Sequence, residues 1–327
     1  MALTALRLRV EDPSGVAPCR RAAERLAADL GFDPVARGEA AIVVTELATN
    51  LVRHAGGGEI VLRGRGGPPQ AIDAVAWDTG PGLGDVARSL RDGFSTAGGS
   101  GTGLGAIGRL SAVFDLQSTA GHGAVLVARL GTADVPSVDG LALAMAGEEA
   151  SGDGWAHVLD GDVATIAVID GLGHGLDAAH ASSTALRELR PGLAPEELLE
   201  RMHGALRPTR GAAGAVVRLD LRSGELRFAG IGNIAAVAVT GTHAKALASL
   251  NGTLGHRVQR IQAYEHQLAP GGLLVLHSDG LRSGWDLAAH PGLQRRDPLV
   301  IAALLIRDFE RGRDDVSAVV ARTAREP

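Results

Sequence analysis

Thr45-Glu46-Leu47-Ala48-Thr49-Asn50 is the stretch from which the first half of this chain is read. It lies inside a long run with apolar residues at Ala40, Val43, Leu47 and Leu51, spacings of three and four that predict a helix over roughly Val35 to Ala55. Glu46 and Asn50 are four apart, so they project from one helical face about a turn from each other, with His54 continuing the row. Gly56, Gly57 and Gly58 stop the helix. An amide oxygen at Asn50 can ligate Mg2+, and a carboxylate at Glu46 can accept a proton from an attacking hydroxyl. Taken alone, the pair also fits a solvated helix face.

Two further strings follow in order. Asp78-Thr-Gly-Pro-Gly82 comes directly after the strand pattern of 71–77, where a carboxylate can accept from an exocyclic amine and glycines let a ring approach the backbone. Gly98-Gly-Ser-Gly-Thr-Gly-Leu-Gly105 precedes a helix expected from Gly103 to about Ser111, whose unpaired N–H groups and dipole favour phosphate. The chain has a single lysine, Lys245, so neither a P-loop lysine nor a strand lysine is available to the first half. Any ATP held there is held by other groups.

The second half places acids beside strand patterns. Val163–Ile169 runs into Asp170-Gly-Leu-Gly-His-Gly175, Leu273–Ser278 into Asp279-Gly280, Ser151-Gly-Asp153-Gly opens another strand, and Asp314-Asp315 precedes the last. Carboxylates at the rims of adjacent strands can converge although distant in sequence. Such a cluster is unfavourable unless a cation neutralises it, and two dications sharing it could activate water against a phosphoryl group.

At 327 residues, with 45% hydrophobic residues and 3% aromatic ones, the chain is expected to form two domains whose cores are built from aliphatic side chains. A net charge of −5 without a basic stripe argues against nucleic acid. No stretch reaches 18 apolar residues and the N-terminus lacks a signal peptide's apolar core, so a cytoplasmic protein without membrane contact is expected. Cys19 is the one cysteine, which excludes an intrachain disulfide or a thiolate cluster.

In this order, Glu-x3-Asn on a helix, DxGxG after a strand and GxGLG before a helix resemble the nucleotide site of the GHKL ATPase superfamily. The strings Thr45–Asn50 and Leu90-Arg-Asp-Gly-Phe-Ser-Thr-Ala-Gly-Gly99 resemble the anti-sigma-type serine kinases, RsbT-like ones most closely. That resemblance implies Glu46 as catalytic base, Asn50 as Mg2+ ligand, and Asp78 as the adenine contact beside Gly80 and Gly82. It further implies Gly101, Thr102, Gly103, Leu104 and Gly105 as lid and phosphate loop. The second half resembles the metal-dependent PPM-type Ser/Thr phosphatases in their RsbX/SpoIIE-like branch, through Val168–Gly175, Arg210-Gly-Ala-Ala, Gly230-Ile-Gly-Asn233, His277-Ser-Asp-Gly280 and Arg313-Asp-Asp-Val-Ser317. This implies Asp153, Asp170, the Gly171 carbonyl, Asp279 and one of Asp314 and Asp315, Asp314 favoured, as ligands of Mn2+ or Mg2+.

The expected fold is α+β: a GHKL (Bergerat) α/β sandwich over 1–132, a short linker over 133–139, and a PPM-type α-β-β-α sandwich over 140–327. The expected function is an ATP-dependent serine/threonine kinase joined to an opposing phosphatase. Its implied partners are STAS-type regulatory phosphoproteins or related switch proteins of a stressosome or partner-switching pathway, with another phosphatase or a sigma factor also in view. The alternative is a phosphatase whose first half is a partner-binding or gating module without kinase activity.

Overall fold

A computed structural model describes residues 5–65, 70–83, 103–132 and 134–325. The chain divides into two compact units, one of Met1–Val135 with Arg295–Arg307, the other of Pro136–Gln294 with Asp308–Pro327.

In the first unit, strands β1 (Leu6–Val10), β2 (Gly58–Arg65), β3 (Ala71–Trp77), β4 (Val113–Ser118) and β5 (Ala124–Leu130) form an antiparallel sheet of order β1-β2-β3-β5-β4. Alternation along the strands turns Ile60, Leu62, Ile72, Ala74, Leu126 and Ala128 into one core with the helices α1 (Val16–Asp29) and α2 (Pro34–Asn50). Asp33 starts α2, its carboxylate accepting from the Val35 and Ala36 amides at 2.8 and 2.9 Å, with Pro34 in the first turn. The expected helix to Ala55 is α-helical only to Asn50; Leu51–Ala55 continues as a π-helical turn closed by Gly56 at φ 74°. Helix α3 (Gly103–Leu110) follows the undescribed segment.

The opposite face of this sheet is buried too, and carries charge. Asp73, fully buried, accepts from Arg129 Nε and Arg65 Nε, both at 2.7 Å, and from Arg63. Burial pushes the Asp73 carboxyl upward, but the three guanidiniums outweigh it and hold the group well below the usual carboxylate range. Arg129 also donates to Asp297 Oδ2 at 3.4 Å, and Arg296 to Asp115 Oδ1 at 3.0 Å, tying the segment Arg295–Arg307 into this unit.

The second unit holds two five-stranded antiparallel sheets. One runs β13-β10-β9-β8-β7, from β7 (Asp153–Asp160), β8 (Val163–Gly171), β9 (Ala212–Asp220), β10 (Glu225–Ile231) and β13 (Tyr264–Gln267). The other runs β12-β11-β14-β15-β6, from β6 (Val138–Leu143), β11 (Ala235–Thr240), β12 (His243–Leu247), β14 (Leu273–His277) and β15 (Val316–Arg322). Ile166, Val168, Val217 and Phe228 of the first sheet meet Leu274, Leu276 and Val319 of the second in one core. The alternate residues, Ala167, Ile169 and Val216, pack on helices α4 (Gly175–Leu186) and α5 (Pro195–Ala205). Helix α6 (Pro298–Phe309) is buried along Pro298–Ile306, and all but its last two residues group with the first unit.

The expected fold holds: an ATPase-like α/β fold followed by a PP2C-like fold. Three details differ from the sequence reading. Val138–Gly140, counted as linker or its edge, pair with Val319–Ala321 as the start of β6. Arg295–Arg307 groups with the first unit instead of the second. Strands β12 and β13 have no counterpart in the sequence reading, because His243–Leu247 and Tyr264–Gln267 are mostly exposed edge strands without an apolar alternation.

Candidate active sites

Within the first unit, α2 carries Glu46 and Asn50 half-buried, while its Val43, Leu47 and Leu51 neighbours anchor it in the core. Gly103, the first residue of α3, lies directly over them. A Cβ there would fall 2.9 Å from Glu46 Oε2 and 3.5 Å from Asn50 Oδ1, so only glycine allows this approach. Among the described residues, Asn50 Nδ2 is buried without a hydrogen-bond partner, a donor that a bound polar ligand would satisfy. Asn50 and the N-terminus of α3 thus offer an amide and helix N–H groups at one place, a fit to Mg2+ and phosphate oxygens.

Asp78 sits just past β3, 8% exposed, its amide donating to the Ala124 carbonyl at 3.0 Å and its Oδ1 accepting from the Gly80 amide at 2.8 Å. Burial raises its pKa. Gly80 packs against Ala55 of the π turn, and a Cβ would meet Ala55 Cα at 2.8 Å. Gly82 takes φ 72°, a conformation that favours glycine. The Arg307 guanidinium donates to the Asp78 carbonyl at 3.2 Å. An open pocket of about 380 Å3 abuts Asp78 and Thr79, bounded by Arg7, Trp77, Gly57 and Arg307. Gly101, Thr102 and the string Leu90–Gly99 lie outside the described residues; Gly103, Leu104 and Gly105 are in place on the first turn of α3.

The second unit gathers its acids at one end of the two sheets. The β7–β8 register sets Asp153 opposite Asp170. Asp153 is 5% exposed, and its Oδ2 has no partner. Burial, then the nearby Asp170 and Asp315, push its pKa well up, against the Ser278 and Ser317 hydroxyls beside it. Asp170 is half-buried and is pushed up to about 7, by burial first and then by Asp279, Asp314 and Asp315. Asn233 donates to Asp279 Oδ2 at 2.6 Å. Asp279 and Asp314 are exposed, so the cluster is graded from a buried floor to an open mouth. Among the described residues, no three of His, Cys, Asp or Glu are placed to hold a metal ion together. An unpartnered buried carboxylate oxygen and a carboxyl raised by its neighbours are what a dication relieves, and the donor set is all oxygen, as Mg2+ and Mn2+ prefer.

Asp315 differs from its neighbour. Its Oδ1 accepts from the Met145 amide at 2.8 Å and its Oδ2 from the Gly152 amide at 2.7 Å. Both Asp315 oxygens hold distant backbone, whereas exposed Asp314 accepts from the adjacent Asp315 amide, at 2.9 Å to Oδ1. Gly171 is held close by α4: a Cβ would collide with the Ala178 carbonyl.

Sequence reasoning assigned nothing to Arg307, Ala55, Met145 or Glu148. Arg307 ends an apolar helical run, where a basic residue is ordinary helix-end chemistry and gives no hint of Asp78. Glu148 Oε1 accepts from the His174 ring Nδ1 at 2.7 Å, a pairing for which the local pattern carries no signal.

The arrangement defines a kinase-like ATPase domain joined to a PP2C phosphatase domain, and the comparisons agree. Residues 160–324 match the family model described as Stage II sporulation protein E (SpoIIE), and residues 10–130 match the histidine kinase-like ATPase domain. The chain belongs to the SpoIIE family and carries an ATPase domain of the histidine kinase-like family. It is 35% identical over 121 residues to the serine/threonine-protein kinase RsbT of Bacillus subtilis (strain 168), covering 36% of this chain and 88% of RsbT. It is 26% identical over 143 residues to the phosphoserine phosphatase RsbX of the same organism, covering 41% of this chain and 69% of RsbX. A solved structure described as "The bacterial stressosome: a modular system that has been adapted to control secondary messenger signaling" matches with TM-score 0.50 and 30% identity, over 57% of this chain and 98% of that one. Phosphatases of the PPM type use Mg2+ or Mn2+. Among the described residues, no helix is long and apolar enough to cross a membrane.

Proposed function

We infer that this chain is a bifunctional enzyme that phosphorylates and dephosphorylates serine or threonine on regulatory proteins of a stressosome or partner-switching pathway. STAS-type phosphoproteins are the expected substrates. The observation that carries the reading is Glu46 retained beside Asn50 under Gly103: a domain that only bound nucleotide would have no use for the base.

In the first site Asp78 takes the adenine amine, and Gly80 and Gly82 let the ring lie against the backbone. The N-terminus of α3 receives the phosphates, and Asn50 holds Mg2+. Glu46 accepts the proton of the partner's hydroxyl as its oxygen bonds to the γ-phosphorus and the bond to the β–γ bridging oxygen breaks. In the second site Asp153, Asp170, the Gly171 carbonyl, Asp279 and Asp314 would hold Mn2+ or Mg2+, while Asp315 fixes the Met145 and Gly152 backbone behind them. When bound, the ions supply charge neutralisation for the triphosphate in one site and water activation in the other.

The test uses the full chain with labelled ATP, candidate STAS domains and Mn2+, comparing wild type with Glu46→Gln and Asp170→Asn. Glu46→Gln should bind ATP yet transfer no label. Asp170→Asn should transfer label and fail to remove it. ATP bound by wild type without transfer to any partner would leave the first unit a nucleotide-dependent binding module and defeat the kinase assignment.

A further inference from the structure

The second site is rich in carboxylates, yet its proposed substrate is an anion. A phosphoryl group approaching Asp170, Asp279 and Asp314 gains from a cationic side chain in addition to whatever ions those acids hold. Strand register brings a guanidinium to the loop that follows Asp170. Strand β9 pairs with β8 so that Ala213 is opposite Asp170 and Ala212 opposite Gly171. Past the strand ends the Leu172 amide still donates to the Gly211 carbonyl at 3.0 Å, which sets Arg210 beside the loop Leu172–His174. An added Cβ at Gly173 would lie 3.2 Å from Arg210 Nη1, so the fork extends over that loop.

The Arg210 backbone is fixed while its side chain is not. The Arg210 carbonyl is hydrogen-bonded to His256 Nε2 at 2.8 Å. Gly211, at φ 84°, has the Leu254 carbonyl and the His256 ring against it, and its amide donates to Thr209 Oγ1 at 3.0 Å. The guanidinium itself meets Asp177 of α4, Nη2 to Oδ2 at 2.6 Å, with the two side chains 58% and 68% exposed. An ion pair so open to water adds little to stability, and its arginine can turn to a better acceptor. A planar fork matches two phosphate oxygens at once, which a lysine would not do.

We propose that Arg210 grips the phosphoryl group of the substrate at the second site, swinging from Asp177 to two non-bridging phosphate oxygens. The inference rests on the phosphatase reading and adds to it the residue that recognises the phosphate. Asp177 then serves as a resting partner that keeps the fork over the loop when no anion is present.

The experiment measures hydrolysis of a phosphoserine-bearing STAS domain and of p-nitrophenyl phosphate by the full chain in Mn2+, with inorganic phosphate as competitive inhibitor. For Arg210→Ala, KM for the phosphoprotein and Ki for inorganic phosphate should each rise roughly ten- to a hundredfold, the loss of a pair of charge-assisted hydrogen bonds. Its kcat should stay within about threefold, and Arg210→Lys should recover part of the loss. Asp177→Ala should leave KM at or below the wild-type value. Unchanged KM and Ki in Arg210→Ala, with hydrolysis intact, would overturn the inference alone. So would the same loss in Asp177→Ala, which would make the ion pair a prop for the loop, or a shift of the effect to Arg313→Ala. Wild type that hydrolyses nothing in Mn2+ would remove the phosphatase reading and this inference with it.

Discussion

The first unit and the second prepare for phosphate in opposite ways. In the first, the groups facing a ligand are mostly main chain: glycines at 80, 82 and 103 pressed against Ala55, Thr119 and Glu46, with few side chains between. In the second, side-chain carboxylates crowd a strand rim, and burial first, then their mutual repulsion, raises Asp153 and Asp170. A backbone site has little charge to neutralise before its ligand arrives. A carboxylate site carries repulsion that a proton or a bound cation relieves. The contrast suits the chemistries proposed: ATP brings its own negative charge to amides, whereas a hydrolytic centre must first concentrate positive charge.

The largest effect should come from striking the carboxylate side of this comparison. Asp170→Asn is expected to bring phosphoester hydrolysis to background. The same change should raise the melting temperature of the metal-free chain, because it deletes a charge that burial and three neighbouring acids disfavour. Calorimetry in chelator checks it; a metal-free variant less stable than wild type would mean that the acids do not repel. On the backbone side, Glu46→Gln should lower phosphotransfer by roughly 10²–10⁴-fold, the usual worth of a positioned base, with ATP affinity kept.

Next in size is the buried charge of the first sheet. Asp73→Asn leaves Arg63 and Arg129 one carboxylate short and should destabilise the chain by about 3–5 kcal/mol, measured by urea denaturation. The pH sign follows from the depressed folded pKa of Asp73. Its stabilising contribution is complete above the unfolded value near 4 and drains away as pH falls below that, toward the folded value. Wild type should therefore lose stability steeply on acidification, and the Asn variant should lose less; parallel acid profiles would show that the network is not coupled to folding. The smallest expected effect is at Arg307. Removing its hydrogen bond to the Asp78 carbonyl with Arg307→Ala should weaken ATP binding about three- to tenfold, read by titration calorimetry. No change would mean the Asp78 turn is held by Gly80 and Ala124 alone.

Much of the architecture could be read locally. The three-and-four spacing of Val43, Leu47 and Leu51 marks a helix whose polar row is Glu46 and Asn50, and the core residues are those of that stripe. The nearly continuous apolar run Val163–Ile169 likewise marks β8, buried on both faces. Legibility ended where a feature depended on packing. The turn after Asn50 is π-helical and ends with Ala55 against Gly80, a contact that no window of sequence around Asn50 contains. Asp314 and Asp315 are indistinguishable as neighbours in the chain. Only the fold brings the Met145 and Gly152 amides to one of them.

What the residues alone indicated was a set of candidate parts: a carboxylate and an amide one helical turn apart, glycines where the backbone comes close, acids at the ends of strands. These follow from short-range geometry, since helix and strand periods fix which neighbours share a face. The tertiary structure decided which parts meet. Gly103 over Glu46, Asp153 across from Asp170, and Arg210 beside the Gly173 loop are each set by strand register and helix packing, which sum over many contacts distant in the chain. Such long-range terms leave no local imprint, because any one of those residues would read the same in a turn with nothing opposite it.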